Sequence, residues 1–140
     1  CLRPGVPGLS DNITVTSVVD RFLEHARILY FHHGGDPLVF ISSADWMPRN
    51  LDRRVELLTL VDDEASRARL IDVLKTCAKD TAKARLLQSD GAYVRHAKAR
   101  EAKAVRSQAV FYDQAVTLAK RAQAEPQVVF EPQRPVSTNG

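Results

Sequence analysis

The residue types most able to do chemistry lie in two short stretches, one at His25 and one just after the apolar run 39–41. A neutral imidazole can act as a general acid or base near pH 7, or accept a phosphoryl group. Arg27 presents a planar fork of donors that matches phosphate oxygens in pairs. Ser43 and Asp45 add a hydroxyl and a carboxylate. These types favour an anion site, although a turn with a solvated charged face has the same composition.

The elements around both stretches predict how the two meet. A periodic apolar face predicts a helix over residues 17–25, which places the His25 imidazole at a helix end. Residues 27–31 and 38–41 are β-like and flank the turn 32–37, so they predict an antiparallel hairpin. This hairpin brings His25 beside the polar end of its second strand, and strand ends are where ligands of α/β sheets usually bind.

Arg54 and Glu56 lie at the start of a further β-like run, 55–61. By the two-residue period of a strand they share one face, so the carboxylate could orient the guanidinium. Arg54 could then neutralise charge on the oxygens of a transferring phosphoryl group. A purely structural ion pair is the alternative that the same spacing allows.

The rest of the chain predicts a mixed α/β (α+β) domain, with helices flanking a mixed central sheet. The patterned segments are the helices 64–79 and 105–121 and the strands 82–87 and 92–95. Residues 96–106 are compatible with helix or loop. Residues 123–140 contain several prolines and predict an irregular tail, which sets the domain at 1–122.

Charge is distributed unevenly along the chain. Residues 1–74 hold 8 Lys and Arg against 11 Asp and Glu, whereas residues 75–121 hold 11 against 4. A basic second half suits a polyanion, and Lys83 and Arg85 share one face of their strand. The four cations predicted to line one phosphate groove are Arg27, Arg54, Lys83 and Arg85. The segment 98–106 is predicted to lie further out, as a less specific collector of phosphate.

Length and composition set further limits. A chain of 140 residues with 44% hydrophobic residues has the size of one domain. No apolar run approaches the roughly 18 residues of a spanning helix. Cys1 and Cys77 form neither a disulfide framework nor a metal-site spacing, which predicts a reducing, cytoplasmic setting, with membrane association left open. Few aromatic residues disfavour base stacking, so no nucleic-acid partner is expected. A chain that begins with Cys within a β-like run predicts a fragment.

His25-x-Arg27, followed downstream by Ser43-x-Asp45, resembles the phospholipase D superfamily signature of His-x-Lys and Ser-x-Asn. In that superfamily the His handles a phosphoryl group, and the basic and polar residues hold its oxygens. Arg27 stands where Lys is usual, and Asp45 stands where Asn is usual. His32 occupies the position at which the signature carries an Asp.

Longer motifs resemble the carboxy-terminal phospholipase D-like domain of bacterial polyphosphate kinase, over roughly residues 1–118. The stretches that carry this resemblance are 1–5, 22–25, 42–50, 54–56, 80–85 and 90–95. The segment 42–50, with the chain's only Trp and only Met, is the most specific of them.

The resemblance implies an enzyme that reversibly transfers the terminal phosphate of ATP to inorganic polyphosphate, through a phosphohistidine held in another domain. It implies that His25 supports this reaction and that Arg54 and Glu56 are catalytic. The predicted phosphate- or ATP-binding residues are His25, Arg27, Ser43, Asp45, Arg54, Lys83 and Arg85. It further implies Mg²⁺ and ATP in the full-length protein, the other domains of the polypeptide as partners, and a homo-oligomer. The fragment alone is expected to be inactive, without bound cofactor or metal.

Two other classes of function stay open from the sequence. One is a phospholipase D-like phosphodiesterase or nuclease, in which His25 attacks phosphorus directly. The other is a non-catalytic module whose basic second half binds a polyanion. Hydrolysis of a phosphodiester would indicate the first, and steep salt dependence without turnover would indicate the second.

Overall fold

The computed structural model describes residues 2–100 and 103–124, which form two three-stranded antiparallel sheets and three α-helices. The strands are β1 (Thr16–Val18), β2 (Ile28–Phe31), β3 (Leu38–Ser42), β4 (Leu58–Leu60), β5 (Ala84–Leu87) and β6 (Tyr93–Arg95). The helices are α1 (Pro48–Arg53), α2 (Glu64–Ala78) and α3 (Ser107–Ala124). The predicted mixed α/β class is confirmed, but the strands divide between two sheets instead of forming one central sheet.

The first sheet has the order β2-β3-β4 and carries the predicted hairpin. Ile28 pairs with Ile41, and a short 3-10 turn at His33–Gly35 joins the two strands. Gly34 and Gly35 adopt φ values of 65° and 109°, a region that glycine enters without a Cβ penalty. Val39 in β3 is fully buried and anchors this sheet. The strand predicted over 55–61 is shorter and covers only Leu58–Leu60.

The second sheet has the order β1-β5-β6, and it overturns the helix predicted over 17–25. Thr16 pairs with Leu86, so β1 continues this sheet, and no helix lies between β1 and β2. The valines and threonine of this stretch are β-branched and favour strands once a pairing edge is available. Asp20, which follows β1, binds Arg106 through two hydrogen bonds of 2.6 and 2.7 Å.

The two long helices are confirmed with shifted ends. α2 begins behind Asp63, whose carboxylate accepts from the Ser66 backbone N–H at 2.7 Å as an N-cap. α3 begins at Ser107 and not at 105, because the carbonyl of Val105 accepts hydrogen bonds from the backbone of residues 81 and 82. α1 was not predicted, although Pro48 at its first position is a common start signal.

The predictions for residues 96–106 and for the tail fall partly outside the described residues. The segment 96–106 contains a short 3-10 helix at Ala97–Arg100, but residues 101 and 102 and the side chains of Lys98 and Arg100 lie outside the description. Most of the predicted tail, residues 125–140, also lies outside it, so the domain boundary at 122 stays a prediction. Within residues 2–100 and 103–124, no helix is long and apolar enough to cross a membrane.

Candidate functional site

Arg27 joins His25 to Asp45 just before β2. Its Nε donates to Asp45 Oδ1 at 2.8 Å, and its Nη2 lies 2.9 Å from His25 Nε2. The Arg27 carbonyl accepts from the Ser42 backbone N–H at 2.9 Å, so the sheet itself fixes the position of this arginine. A guanidinium can only donate, so His25 Nε2 accepts and the ring proton sits on Nδ1. The structure thus holds one tautomer of His25 and leaves its N–H edge for another partner.

The Arg27–Asp45 pair stays ionised over a wide pH range. The hydrogen bond from Arg27 holds the pKa of the Asp45 carboxyl below its usual value, and the charge on Arg49 adds to this. The same hydrogen bond raises the pKa of Arg27. Asp45 is therefore poised to orient Arg27 rather than to transfer a proton.

A second cluster surrounds the carboxylate of Glu56. Ser43 Oγ accepts from the Leu57 backbone N–H at 2.9 Å, which directs its own proton to Glu56 Oε2. Asn50 Nδ2 donates to the other oxygen, Oε1, at 2.8 Å. Arg54 Nε lies 3.3 Å from the same Oε1. Every carboxylate oxygen of Glu56 is thus held by the protein.

These partners keep Glu56 charged. The hydrogen bonds from Ser43 and then Asn50 lower the pKa of Glu56, and the positive charges of Arg54 and Arg27 add to the effect. The Glu56 side chain is only 13% exposed, whereas that of Arg54 is 56% exposed. Glu56 is accordingly a fixed carboxylate that holds the more exposed Arg54 guanidinium beside it.

Sequence reasoning missed Asn50 as a site residue. It lies in α1 with 3% of its surface exposed, and its amide donates to Glu56. Its Oδ1 is buried without a hydrogen-bond partner in the described part of the chain. The signal was a polar residue two positions after Pro48, in the first turn of a short helix within the Trp-containing motif.

Gln108 of α3 holds the loop that leads to His25. Its side-chain amide makes two hydrogen bonds with the Phe22 backbone, accepting from N–H at 3.0 Å and donating to the carbonyl at 2.8 Å. It also donates to the Glu24 carboxylate at 3.1 Å. His25 lies beside this clamp in a cavity of about 410 Å³ that Phe22 and Phe111 also line. A helix about eighty residues downstream in the chain therefore positions the predicted catalytic histidine.

Arg85 lies elsewhere, in β5 of the second sheet, and Lys83 lies just before that strand. They line a concavity of about 120 Å³ together with Arg95 and Val19. Arg27 instead lines a concavity of about 500 Å³ with Asp45 and Trp46. The structure thus brings Lys83 and Arg85 together, but it assigns them a different concavity from that of Arg27. The predicted single groove stays a prediction.

The carboxylates of this site do not suit a divalent cation. Asp45 is engaged by Arg27, and Glu56 is engaged by Ser43, Asn50 and Arg54. No group of three or more His, Cys, Asp or Glu side chains converges on a metal position among residues 2–100 and 103–124. These residues therefore do not fit Mg²⁺, which binds through one or two carboxylates together with water and phosphate oxygens, because both carboxylates are already engaged.

Comparisons with known proteins agree on one family. Residues 1–108 match the family model described as "Polyphosphate kinase C-terminal domain 2". A polyphosphate kinase from Rhodopirellula baltica is 53% identical over 135 residues, which is 96% of this chain and 16% of that protein. One from Halalkalibacterium halodurans is 47% identical over 115 residues, 82% of this chain and 16% of that protein.

A solved structure agrees with these relatives. The crystal structure of polyphosphate kinase from Porphyromonas gingivalis matches with a TM-score of 0.77 at 41% identity, over 86% of this chain and 18% of that one. The chain thus spans less than a fifth of the length of the relatives that it matches.

Proposed function

Because the chain belongs to the polyphosphate kinase family as its C-terminal domain 2, we propose that it contributes part of the active site of an ATP:polyphosphate phosphotransferase. The reaction would move the terminal phosphate of ATP to inorganic polyphosphate, reversibly, through a phosphohistidine in another domain. The partners would be ATP, polyphosphate and the other domains, in a homo-oligomer. A cytoplasmic location, with membrane association open, is part of the same proposal.

The observation that carries this proposal is the bond between Arg27 and His25. Since Nε2 accepts from Arg27 and Nδ1 holds the proton, neither ring nitrogen has a free lone pair to attack phosphorus. This favours a supporting histidine whose Nδ1–H donates to a phosphate oxygen. It disfavours the phosphodiesterase alternative, in which His25 itself would be the nucleophile.

Arg27 and Arg54 would neutralise phosphate charge, each oriented by its own carboxylate. Ser43 and Asp45 would contribute to phosphate binding through Glu56 and Arg27. Mg²⁺ is proposed for the full-length enzyme from the resemblance alone. Its ligands would come from other domains, because the described residues do not fit it.

The test is His25→Ala in a full-length enzyme that contains this sequence, assayed for ATP-dependent polyphosphate formation. We expect a loss of roughly 10²–10⁴-fold, as for a positioned group in proton transfer or charge stabilisation. His32→Ala, in the hairpin turn, is the matched control and should retain activity. Near-normal activity of the His25 variant, or hydrolysis of a phosphodiester to a monoester and an alcohol by the unmodified enzyme, would count against the proposal.

A further inference from the structure

Three cations converge at the second sheet without forming an ion pair to any acidic side chain among residues 2–100 and 103–124. Arg85 of β5 and Arg95 of β6 are directly opposed in the antiparallel register, and Lys83 lies just before β5. In the described part of the chain, none of the three forms an ion pair or a side-chain hydrogen bond. Like charges directly opposite on paired strands are destabilising, so this arrangement needs a physical compensation.

Asp20, an acidic group that feels the charge on Lys83, is already occupied. The pKa of Asp20 is lowered chiefly by its hydrogen bonds with Arg106 and, to a lesser degree, by the charge on Lys83. Both Asp20 oxygens accept from Arg106, at 2.7 and 2.6 Å. Asp20 therefore neutralises Arg106, and the concavity formed by Lys83, Arg85 and Arg95 keeps its positive charge.

The concavity has the size and lining for a bare oxyanion. Its volume is about 120 Å³, room for roughly four water molecules at about 30 Å³ each. Val19 and two alanines complete the lining. No aromatic side chain lines it, so it offers no surface on which a base could stack.

We propose that Lys83, Arg85 and Arg95 form a phosphate-binding subsite for an inorganic phosphate chain, separate from the reaction centre at His25. The inference rests on the proposed function for the identity of its ligand. It adds Arg95 to the predicted binding residues. It also assigns Lys83 and Arg85 to the binding of polyphosphate units that are not reacting. The subsite acts on polyphosphate affinity more than on phosphoryl transfer.

The kinetic test uses Arg85→Gln and Arg95→Gln in a full-length enzyme that contains this sequence. In the ATP-forming direction, the KM for polyphosphate should rise about tenfold for each variant, because each removes a charge-assisted contact. The change should appear in KM and not in kcat, and the KM for ADP should stay the same. Lys120→Gln, an exposed cation of α3, is the matched control and should change neither.

A binding test separates this subsite from the proposed function. Tripolyphosphate without nucleotide should raise the thermal unfolding midpoint of the unmodified enzyme and of His25→Ala. It should raise the midpoint of Arg95→Gln by a smaller amount. The slope of log affinity against log salt should fall by about one per cation removed. These results would support the subsite even if His25→Ala kept its activity and the proposed function failed.

Three outcomes would overturn the subsite. A fall in kcat at constant KM would place Arg85 and Arg95 in the reaction centre. A higher KM for ADP with unchanged KM for polyphosphate would assign the concavity to a nucleotide phosphate. Unchanged kinetics and unchanged tripolyphosphate binding in both variants would show that these cations are a solvated face, and would leave the proposed function intact if His25→Ala is inactive.

Discussion

Glu56 illustrates how individual residues of the site are specialised. A carboxylate that accepts from Ser43, from Asn50 and from Arg54 has little freedom to rotate or to take up a proton. Its lowered pKa agrees with that reading. Arg54 would be a mobile surface cation without this anchor, and a mobile cation stabilises a developing charge less well than a preorganised one.

Asn50→Asp tests this anchor with almost no change in volume. The substitution removes the donor to Glu56 Oε1 and sets a second carboxyl group against the first. The pKa of Glu56 should therefore rise, and the acidic limb of the pH–rate profile should move to higher pH. Activity near neutral pH should fall on the order of tenfold to a hundredfold, as expected for a misplaced catalytic group.

The control for this change is Asn12→Asp, at an exposed residue of the amino-terminal loop. This substitution should leave the pH–rate profile unchanged. If the Asn50 variant has a lower rate but an unshifted acidic limb, Asn50 supports only packing and the anchor role is wrong.

At the scale of elements, Asp80 connects α2, β5 and α3. Its Oδ1 accepts from the backbone N–H groups of Lys83 and Ala84, and its Oδ2 accepts from the N–H and hydroxyl of Ser107. Only 2% of Asp80 is exposed. Burial alone would raise its pKa, but the four hydrogen bonds more than offset it and the pKa is lowered. Asp80 is a structural carboxylate that sets the start of α3, and with it the position of Gln108.

Asp80 should make the local stability of this junction depend on pH. The pKa of Asp80 is lower in the folded state than in the unfolded state, where it is about 3.9. Its contribution to stability is therefore complete above the unfolded pKa and is lost as the pH falls through the folded pKa. Asp80→Asn replaces one acceptor by a donor that faces backbone N–H groups. We expect the local free energy of opening to fall by about 3 kcal/mol. Hydrogen exchange at residues 83, 84 and 107 in the full-length enzyme measures it.

Asp113→Asn, on the exposed face of α3, is the comparison variant. Its amide hydrogens at residues 83, 84 and 107 should exchange at the same rates as those of the unmodified protein. Equal protection of residues 83, 84 and 107 in the Asp80 variant would show that the junction does not depend on this carboxylate.

At the scale of the whole molecule, the described residues bury few large apolar side chains. The buried hydrophobic residues among them are Val39, Ala44 and Ala84. By contrast, Leu23 is 92% exposed and Trp46 is 77% exposed. Exposed apolar surface of this extent usually marks an interaction surface, and the relatives are several times longer than this chain. We expect the other domains of a full-length enzyme to cover this surface.

The 140-residue chain studied alone should therefore behave as an incomplete unit. It should bind a hydrophobic dye, exchange most amide protons quickly and form no polyphosphate from ATP, whereas a full-length enzyme should show none of these defects. Calorimetry and dye fluorescence on the two proteins make the comparison. Sharp cooperative unfolding of the short chain without dye binding would contradict this expectation.

Local signals in the sequence were sufficient for several elements. The hairpin of β2 and β3 was predicted because its turn residues and its flanking β-like runs lie within fifteen positions of each other. The helix α2 was predicted because its acids come first and its basic residues last, as the helix dipole favours. An anion site was also predicted from residue types, since arginines near a histidine suit an anion such as phosphate, and this site stays a prediction.

Only the tertiary structure decided the rest, because it depends on partners distant in the chain. Residues 16–18 form a strand since β5, about seventy positions later, offers them an edge. Asn50 serves Glu56 because α1 turns its amide inward, and Arg27 selects the tautomer of His25 because β3 holds Asp45 beside it. Hydrophobic period and turn composition carry no information about such contacts. The sequence therefore indicated the candidate phosphate-binding residues, whereas the fold decided which of them hold one another in place.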